Sequence, residues 1–271
     1  MINIVCALPS EARPIREHFK LKQEGGCEPF QWFANDEIRL MVCGVGTQSA
    51  AAGVGYLAGR CRTARKEGWL NVGIAGHQQA PVCDAYLAHK IHDVITAERW
   101  YPALQFTSEL QTRLVETHPR EVTAYPANAL VEMEAAAFFK AASRCAEFER
   151  IHALKIVSDN TLNSVTALTR ERISSLVAAR IDQISKVIAD LQTIPKAPPI
   201  DTDHFIETAL KKFHLSVSER IQLRSIAARH LVLLPNEDLC QYVSDSESSQ
   251  NLYRAIECAI DAAPLIFPQT A

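Results

Sequence analysis

Along residues 1–194, short apolar runs closed by glycine, proline or an acidic residue alternate with stretches of helical period. Ile2 to Leu8 predicts a buried strand, which Pro9 and Ser10 break before a helix from Glu11 to Lys20. Trp32 to Ala34 and Ile38 to Val42 predict a hairpin turning at Asn35-Asp36. Thr47 to Arg60, rich in Ala and Gly, predicts a helix packed closely on a sheet. Trp69 to Ile74, Tyr86 to Val94, Leu114 to Thr117 and Ile151 to Val157 read as further strands. Glu132 to Ala146 reads as a helix, and Ser174 to Leu191 as a long one with Leu176, Ile181, Ile184, Val187, Ile188 and Leu191 on its apolar side. Strands alternating with helices predict an α/β domain with a largely parallel sheet, in which ligands bind beyond the carboxyl ends of the strands.

The pattern changes at Pro195. Residues 195–200 hold three prolines, cannot continue a helix and read as a linker. Beyond them Asp203 to Phe213, Val217 to Leu233 and Leu252 to Ala262 predict three helices, with Ser216 and Ser218 as N-cap candidates and Glu219 in the first turn of the second. The expected organisation is an α/β domain over residues 1–194, the linker 195–200, and a small helical appendage over residues 201–271.

Composition narrows the function classes. A 271-residue chain that is 48% hydrophobic can bury a sizeable core. A formal charge of −3 advertises neither a nucleic-acid partner nor a membrane surface. The apolar start lacks a positive leading segment, so a first strand fits better than a signal peptide, and no apolar run is long enough to span a bilayer. None of the eight cysteines forms a C-x-x-C pair. They read as reduced, core-filling thiols of a cytoplasmic protein, with no metal and no cofactor expected.

Candidate chemistry gathers at the predicted strand ends. Gly44-Val45-Gly46 and Gly73-Ile74-Ala75-Gly76 are glycine turns after strands, read either as tight turns or as a floor where a ligand touches backbone amides. Their spacing does not match the dinucleotide fingerprint. Glu11, Glu132, Glu134 and Asp159 edge apolar segments, where an ionised carboxylate is costly unless paired, exposed or functional. Glu132 and Glu134 read either as acids complementing a helix dipole or, for Glu134, as an acceptor for two neighbouring ribose hydroxyls. Asp159 after Ser158 reads either as a helix N-cap or as a partner for a heterocycle nitrogen. His77, His89 and His92 lack a metal spacing and read as satisfied histidines, and Trp100-Tyr101 as packing.

Taken in order, Glu11 after the first strand, Cys43-Gly44-Val45-Gly46, Asn71-Val72-Gly73-Ile74-Ala75-Gly76, Val131-Glu132-Met133-Glu134-Ala135 and Ile156-Val157-Ser158-Asp159 resemble the purine nucleoside phosphorylase and uridine phosphorylase superfamily. The branch looks like the methylthioadenosine/S-adenosylhomocysteine nucleosidases, over residues 1 to 192. The resemblance implies a three-layer α/β/α fold that cleaves the N-glycosidic bond of a purine-type nucleoside. It also implies a small-molecule nucleoside as partner, and a homodimer. By position it makes Glu11 the activator of water, and puts Met133 under the ribose and Glu134 on its hydroxyls. Asp159 becomes the acid at the base. Gly46, Ile74, Ala75, Gly76, Glu132 and Ser158 complete the substrate-binding set.

The phosphorylase-like G-D-P-x-R turn is absent, Asn71 stands where an arginine is expected, and Arg13 falls one position out of register, so water is favoured over phosphate as acceptor. Ile74 stands where the family has a serine. The interval from Gly76 to Met133 is shorter than in typical members and lacks their base-stacking aromatic, a place that Tyr101 or Tyr125 could take. Two alternatives stay open beside hydrolysis: phosphorolysis, and a nucleoside-binding or scaffold protein without turnover. Arg220, Arg224 and Arg229 share a helix of the appendage. A solvated face, or one that meets a protein partner, is favoured there over a DNA-binding one.

Overall fold

The computed structural model describes residues 1–25, 29–60, 66–104, 110–194 and 201–263. The proline-rich segment 195–200, Cys27 and Cys61 lie outside the described residues. The chain divides into two compact units, Met1–Lys196 and Ala197–Ala271.

The first unit runs β1 (Ile2–Cys6), α1 (Pro9–His18), β2 (Lys22–Glu24), β3 (Gln31–Ala34), β4 (Ile38–Val42), α2 (Thr47–Arg60), β5 (Gly68–Gly76) and β6 (Ala85–Asp93). It continues through β7 (Arg99–Trp100), β8 (Thr112–Thr117), β9 (Ala129–Glu132), α3 (Ala135–Ala142), β10 (Ile151–Asp159), α4 (Arg170–Ala178) and α5 (Ile181–Thr193). It is a three-layer α/β/α domain. Side chains alternate between the two faces of the sheet, as a strand requires. Ile2, Ile4, Leu70, Val72, Leu154 and Ile156 pack with α1, α4 and α5. Val5, Trp69, Ala153 and Val157 face the other way, onto α2 and α3.

The sheet is mixed. β1 pairs in parallel with β4 and β5, and β5 in parallel with β10. β5 uses one edge twice: Gly68 to Asn71 pair with β1, and Gly76 at its end meets Val131 of β9. From β9 the pairing passes to β8, β6 and β10, and so back to β5, closing a ring of five strands. The expected largely parallel sheet holds at the centre. The hairpin of β3 and β4 and the β10–β6 pair are antiparallel.

Besides the short strands β2 and β7, which the sequence reading did not place, three elements differ from it. Glu132, expected to start a helix, instead ends the strand Ala129–Glu132, which adds to the edge of β8, and the helix begins only at Ala135. The long helix from Ser174 breaks at Arg180, whose guanidinium reaches out to the Cys83 carbonyl (2.6 Å) and Asp84 (3.4 Å). A long-range contact ends that helix, with no proline or glycine to announce it. The third difference lies in the second unit, which has four helices among the described residues: α6 (Asp203–Lys212), α7 (Val217–Leu233), α8 (Leu239–Asp245) and α9 (Ser249–Ala262). The seven-residue α8 is too short to show a period, and Asp238 caps it by accepting from the Cys240 amide. α7 starts at a capping box in which Ser216 and Glu219 satisfy each other's backbone amides. Arg224 is paired with Asp203 at 2.5 Å. Leu223, Ile226, Leu252 and Ile256 fill the core of this unit. Among the described residues no helix is long and apolar enough to cross a membrane.

Candidate active site

Beyond the ends of β1, β5, β9 and β10 lies a cavity of about 210 Å³, open to solvent. Its lining includes Glu11, Ile74, Ala75, Gly76, Glu132, Met133, Glu134, Ser158 and Asp159. Gly46 is not in the lining but donates its amide to Glu134 Oε1 at 2.7 Å. Arg13 lies elsewhere, with Arg16, Gln31 and Phe33.

Glu11 is carried by the first turn of α1, where Pro9 starts the helix. Its Oε2 accepts the Ala7 and Leu8 amides at 3.0 and 2.8 Å, and its Oε1 accepts the Ile74 amide at 2.9 Å. The side chain is therefore both a helix-start acceptor and a link between β1 and β5. Among the described residues Oε1 takes this one hydrogen bond, which leaves a lone-pair direction open. Burial raises its pKa, against the pull of those amides and of the Lys155 ammonium.

Glu132 and Glu134 have separate jobs. Glu132 Oε2 accepts from the Glu134 amide (3.0 Å), the Ala135 amide (2.8 Å) and Lys155 Nζ (2.8 Å), while Oε1 accepts from Thr117 (2.6 Å). Its acceptor capacity is spent on the start of α3 and on Lys155. Glu134 accepts one amide, from Gly46, and its other oxygen has no protein partner among the described residues. Burial and then the Glu132 charge push the Glu134 pKa up to about 7, against Lys155 and the Gly46 amide.

Lys155, which the sequence reading passed over, lies at the centre of these carboxylates. It is 1% exposed in the middle of β10. Burial alone would lower its pKa, but Glu132, Glu134 and Glu11 together outweigh burial and raise it. A Cβ on Gly73 would lie 3.1 Å from Glu11 Oε1 and 3.4 Å from Lys155 Nζ, so the bare glycine leaves room for both. The available signal was a lysine flanked by the apolar Ala153, Leu154, Ile156 and Val157, a setting that demands a buried counter-charge somewhere else in the chain.

Asp159 sits where the β10–β5 register slips between Val157 and Asp159. Such a bulge re-aims a side chain. Its Oδ1 accepts from the Ser158 hydroxyl, and its Oδ2 from the Tyr125 hydroxyl at 2.5 Å. It caps no helix. Tyr101 is largely exposed with Lys90 over its ring, and Trp100 packs on Phe139, so neither lines the cavity. His77 accepts two backbone amides through Nδ1, and His89 pairs with Thr112. Among the described residues no group of three or more His, Cys, Asp or Glu could hold a metal ion.

No protein-family model matches the chain. No curated protein matches it either. Solved structures do. One is the 5′-methylthioadenosine/S-adenosylhomocysteine nucleosidase of S. pneumoniae with a transition-state inhibitor: TM-score 0.57, 17% identity, 70% of this chain and 99% of that one. Another is the 5′-methylthioadenosine nucleosidase of Arabidopsis thaliana: TM-score 0.59, 16% identity, 72% and 96%. A third is the futalosine hydrolase of Helicobacter pylori: TM-score 0.52, 17% identity, 69% and 97%. The chain has the fold of these nucleosidases and of futalosine hydrolase. At such identities the likeness is one of fold.

Proposed function

We propose that the protein is a nucleosidase that hydrolyses the N-glycosidic bond of a purine-type nucleoside. The observation that carries this reading is the meeting of Glu11, Glu134 and Asp159, remote in sequence, around one cavity. Leaving of the base makes the sugar oxocarbenium-like, and carboxylates nearby stabilise that charge. Glu11, with one open direction on Oε1 and a pKa raised by burial, is suited to take a proton from the attacking water. Glu134, with one oxygen unpartnered, accepts the two ribose hydroxyls above Met133. Asp159, whose oxygens accept the Ser158 and Tyr125 hydroxyls, takes up a proton from solvent and delivers it to a ring-nitrogen lone pair of the departing base, returning to the carboxylate. Glu132 holds Lys155 and the start of α3, and so positions Glu134 rather than binding substrate.

Water is preferred over phosphate on electrostatic grounds. The lining holds five carboxylates (Glu11, Glu121, Glu132, Glu134 and Asp159) and one arginine, Arg120. A phosphate would meet a net negative wall, whereas water and a cationic transition state would not. Incubating the protein with adenosine-type nucleosides should release free base, and Glu11→Gln or Asp159→Asn should abolish release. Undiminished release in both variants would remove the mechanism.

A second reading, a nucleoside-binding protein without turnover, is favoured by the engagement of both Asp159 oxygens and by Ile74 where a serine is expected. It calls for thermal stabilisation by nucleosides with no base released. A cytoplasmic setting, as the unpaired cysteine pattern suggests, a homodimer, as the resemblance implies, and a protein partner for the helical unit complete the proposal. Light scattering of the full chain tests the homodimer.

A further inference from the structure

Asp159 differs from the other carboxylates of the cavity in what it holds. No backbone amide among the described residues reaches its oxygens; both take hydroxyls, from Ser158 and Tyr125. Tyr125 belongs to the segment between β8 and β9 that also supplies Glu121 and Val122 to the cavity wall. Its ring lies against the backbone of Gly76, where a Cβ would overlap Tyr125 Cε1 and sit 2.6 Å from Asp159 Oδ2. Burial and the Asp159 contact raise the pKa of the phenol, so it keeps its proton and remains a donor. With the ring in place the cavity measures about 210 Å³. Sites that bury a whole small molecule run to roughly 300–1,000 Å³.

We propose that Tyr125 is a displaceable occupant of the base end of the cavity, a specificity residue that the nucleobase must replace at Asp159 Oδ2. The inference rests on the nucleosidase reading and deepens it. When the ring leaves, Oδ2 loses an O–H donor. A base that presents an N–H there, beside the ring-nitrogen lone pair that takes the proton, restores the hydrogen bond at Oδ2, whereas a base edge carrying only lone pairs sets acceptor against acceptor at Oδ2. The exchange therefore selects heterocycles with an N–H donor on the edge facing Asp159. It also weakens every base that binds, because the Tyr125 contact is broken each time.

The test uses the full chain and calorimetric titration with adenine. Tyr125→Phe keeps the ring but frees Oδ2, and is expected to bind adenine about tenfold more tightly than the unaltered protein, the scale of one hydrogen bond to a charged group. KM for an adenosine-type nucleoside is expected to fall alongside. In an Asp159→Asn background the gain from Tyr125→Phe should vanish, which a packing effect of the ring would not do. Equal or weaker adenine binding by Tyr125→Phe overturns the proposal while leaving the nucleosidase reading standing, as does a gain that persists without Asp159. Adenine and nucleosides bound by neither protein overturn both.

Discussion

At one end of the cavity Glu11 and Glu134 receive backbone amides from Ala7, Leu8, Ile74 and Gly46; at the other Asp159 receives the hydroxyls of Ser158 and Tyr125. Amides fixed in a strand or at a helix start cannot swing away without disrupting that element, whereas a hydroxyl turns about a side-chain bond. The first end is therefore fixed before any ligand arrives, the condition under which charged groups stabilise a transition state without reorganising. The second can change partners. On the proposed nucleosidase reading, attack on the sugar falls to the rigid half of the site and departure of the base to the adjustable one.

The largest effect is expected where the rigid half does chemistry. Glu11→Gln should lower turnover by about 10²–10⁴-fold, the usual range for a general base. The amide also turns N–H groups toward backbone donors that now share two carboxylate oxygens, so some loss of melting temperature should accompany it. Steady-state rates with unchanged turnover would show that the fixed end holds structure and not water.

Next in size is the support beneath that end. Lys155 and Glu132 form an ion pair in which each side chain is 1% exposed. Lys155→Met would strand the Glu132 carboxylate, at a cost of about 3–5 kcal/mol in urea unfolding. A second change, Glu132→Gln, should recover part of that loss by removing the uncompensated charge. If Lys155→Met proved neutral, Glu134 would not owe its placement to this pair, and the contrast between the two ends would weaken.

Which parts of this were legible beforehand follows from distance along the chain. Glu11, Glu134 and Asp159 stand out because each ends an apolar run, a local signal. The period-2 and helical patterns locate β1, β5, β6, β8 and β10 and most helices for the same reason. Lys155 was passed over although it is the most anomalous charge in β10, because its partner lies 23 residues earlier and only the fold brings them together. Tyr125 sits in a polar loop with no period, and its link to Asp159 spans 34 residues. The break at Arg180 likewise depends on Cys83 and Asp84, far away in sequence. The two acids of Val131-Glu132-Met133-Glu134 had two competing explanations, helix start and ligand acceptor. The structure gives the first to Glu132, while the open oxygen of Glu134 leaves it free for the second.

The smallest expected effect tests Glu134 through pH. Its pKa is raised to about 7, first by burial and then by the Glu132 charge. Below that value the folded protein holds a proton on Glu134 that the unfolded chain gives up at the ordinary value of 4.5. The stability this group contributes is therefore fully present below the unfolded pKa, and is lost as pH rises through the folded one. Ribose binding runs the opposite way, because only the ionised carboxylate accepts both hydroxyls. KM should fall as pH rises from about 5.5 to about 8, by a few-fold up to about tenfold, while the urea midpoint declines between about pH 4.5 and about pH 7 and is level above that. Glu134→Gln should flatten both curves at once and leave KM high throughout. A KM that kept its pH dependence in Glu134→Gln would move the titration to another group, and Glu11, whose pKa burial also raises, would then have to carry it.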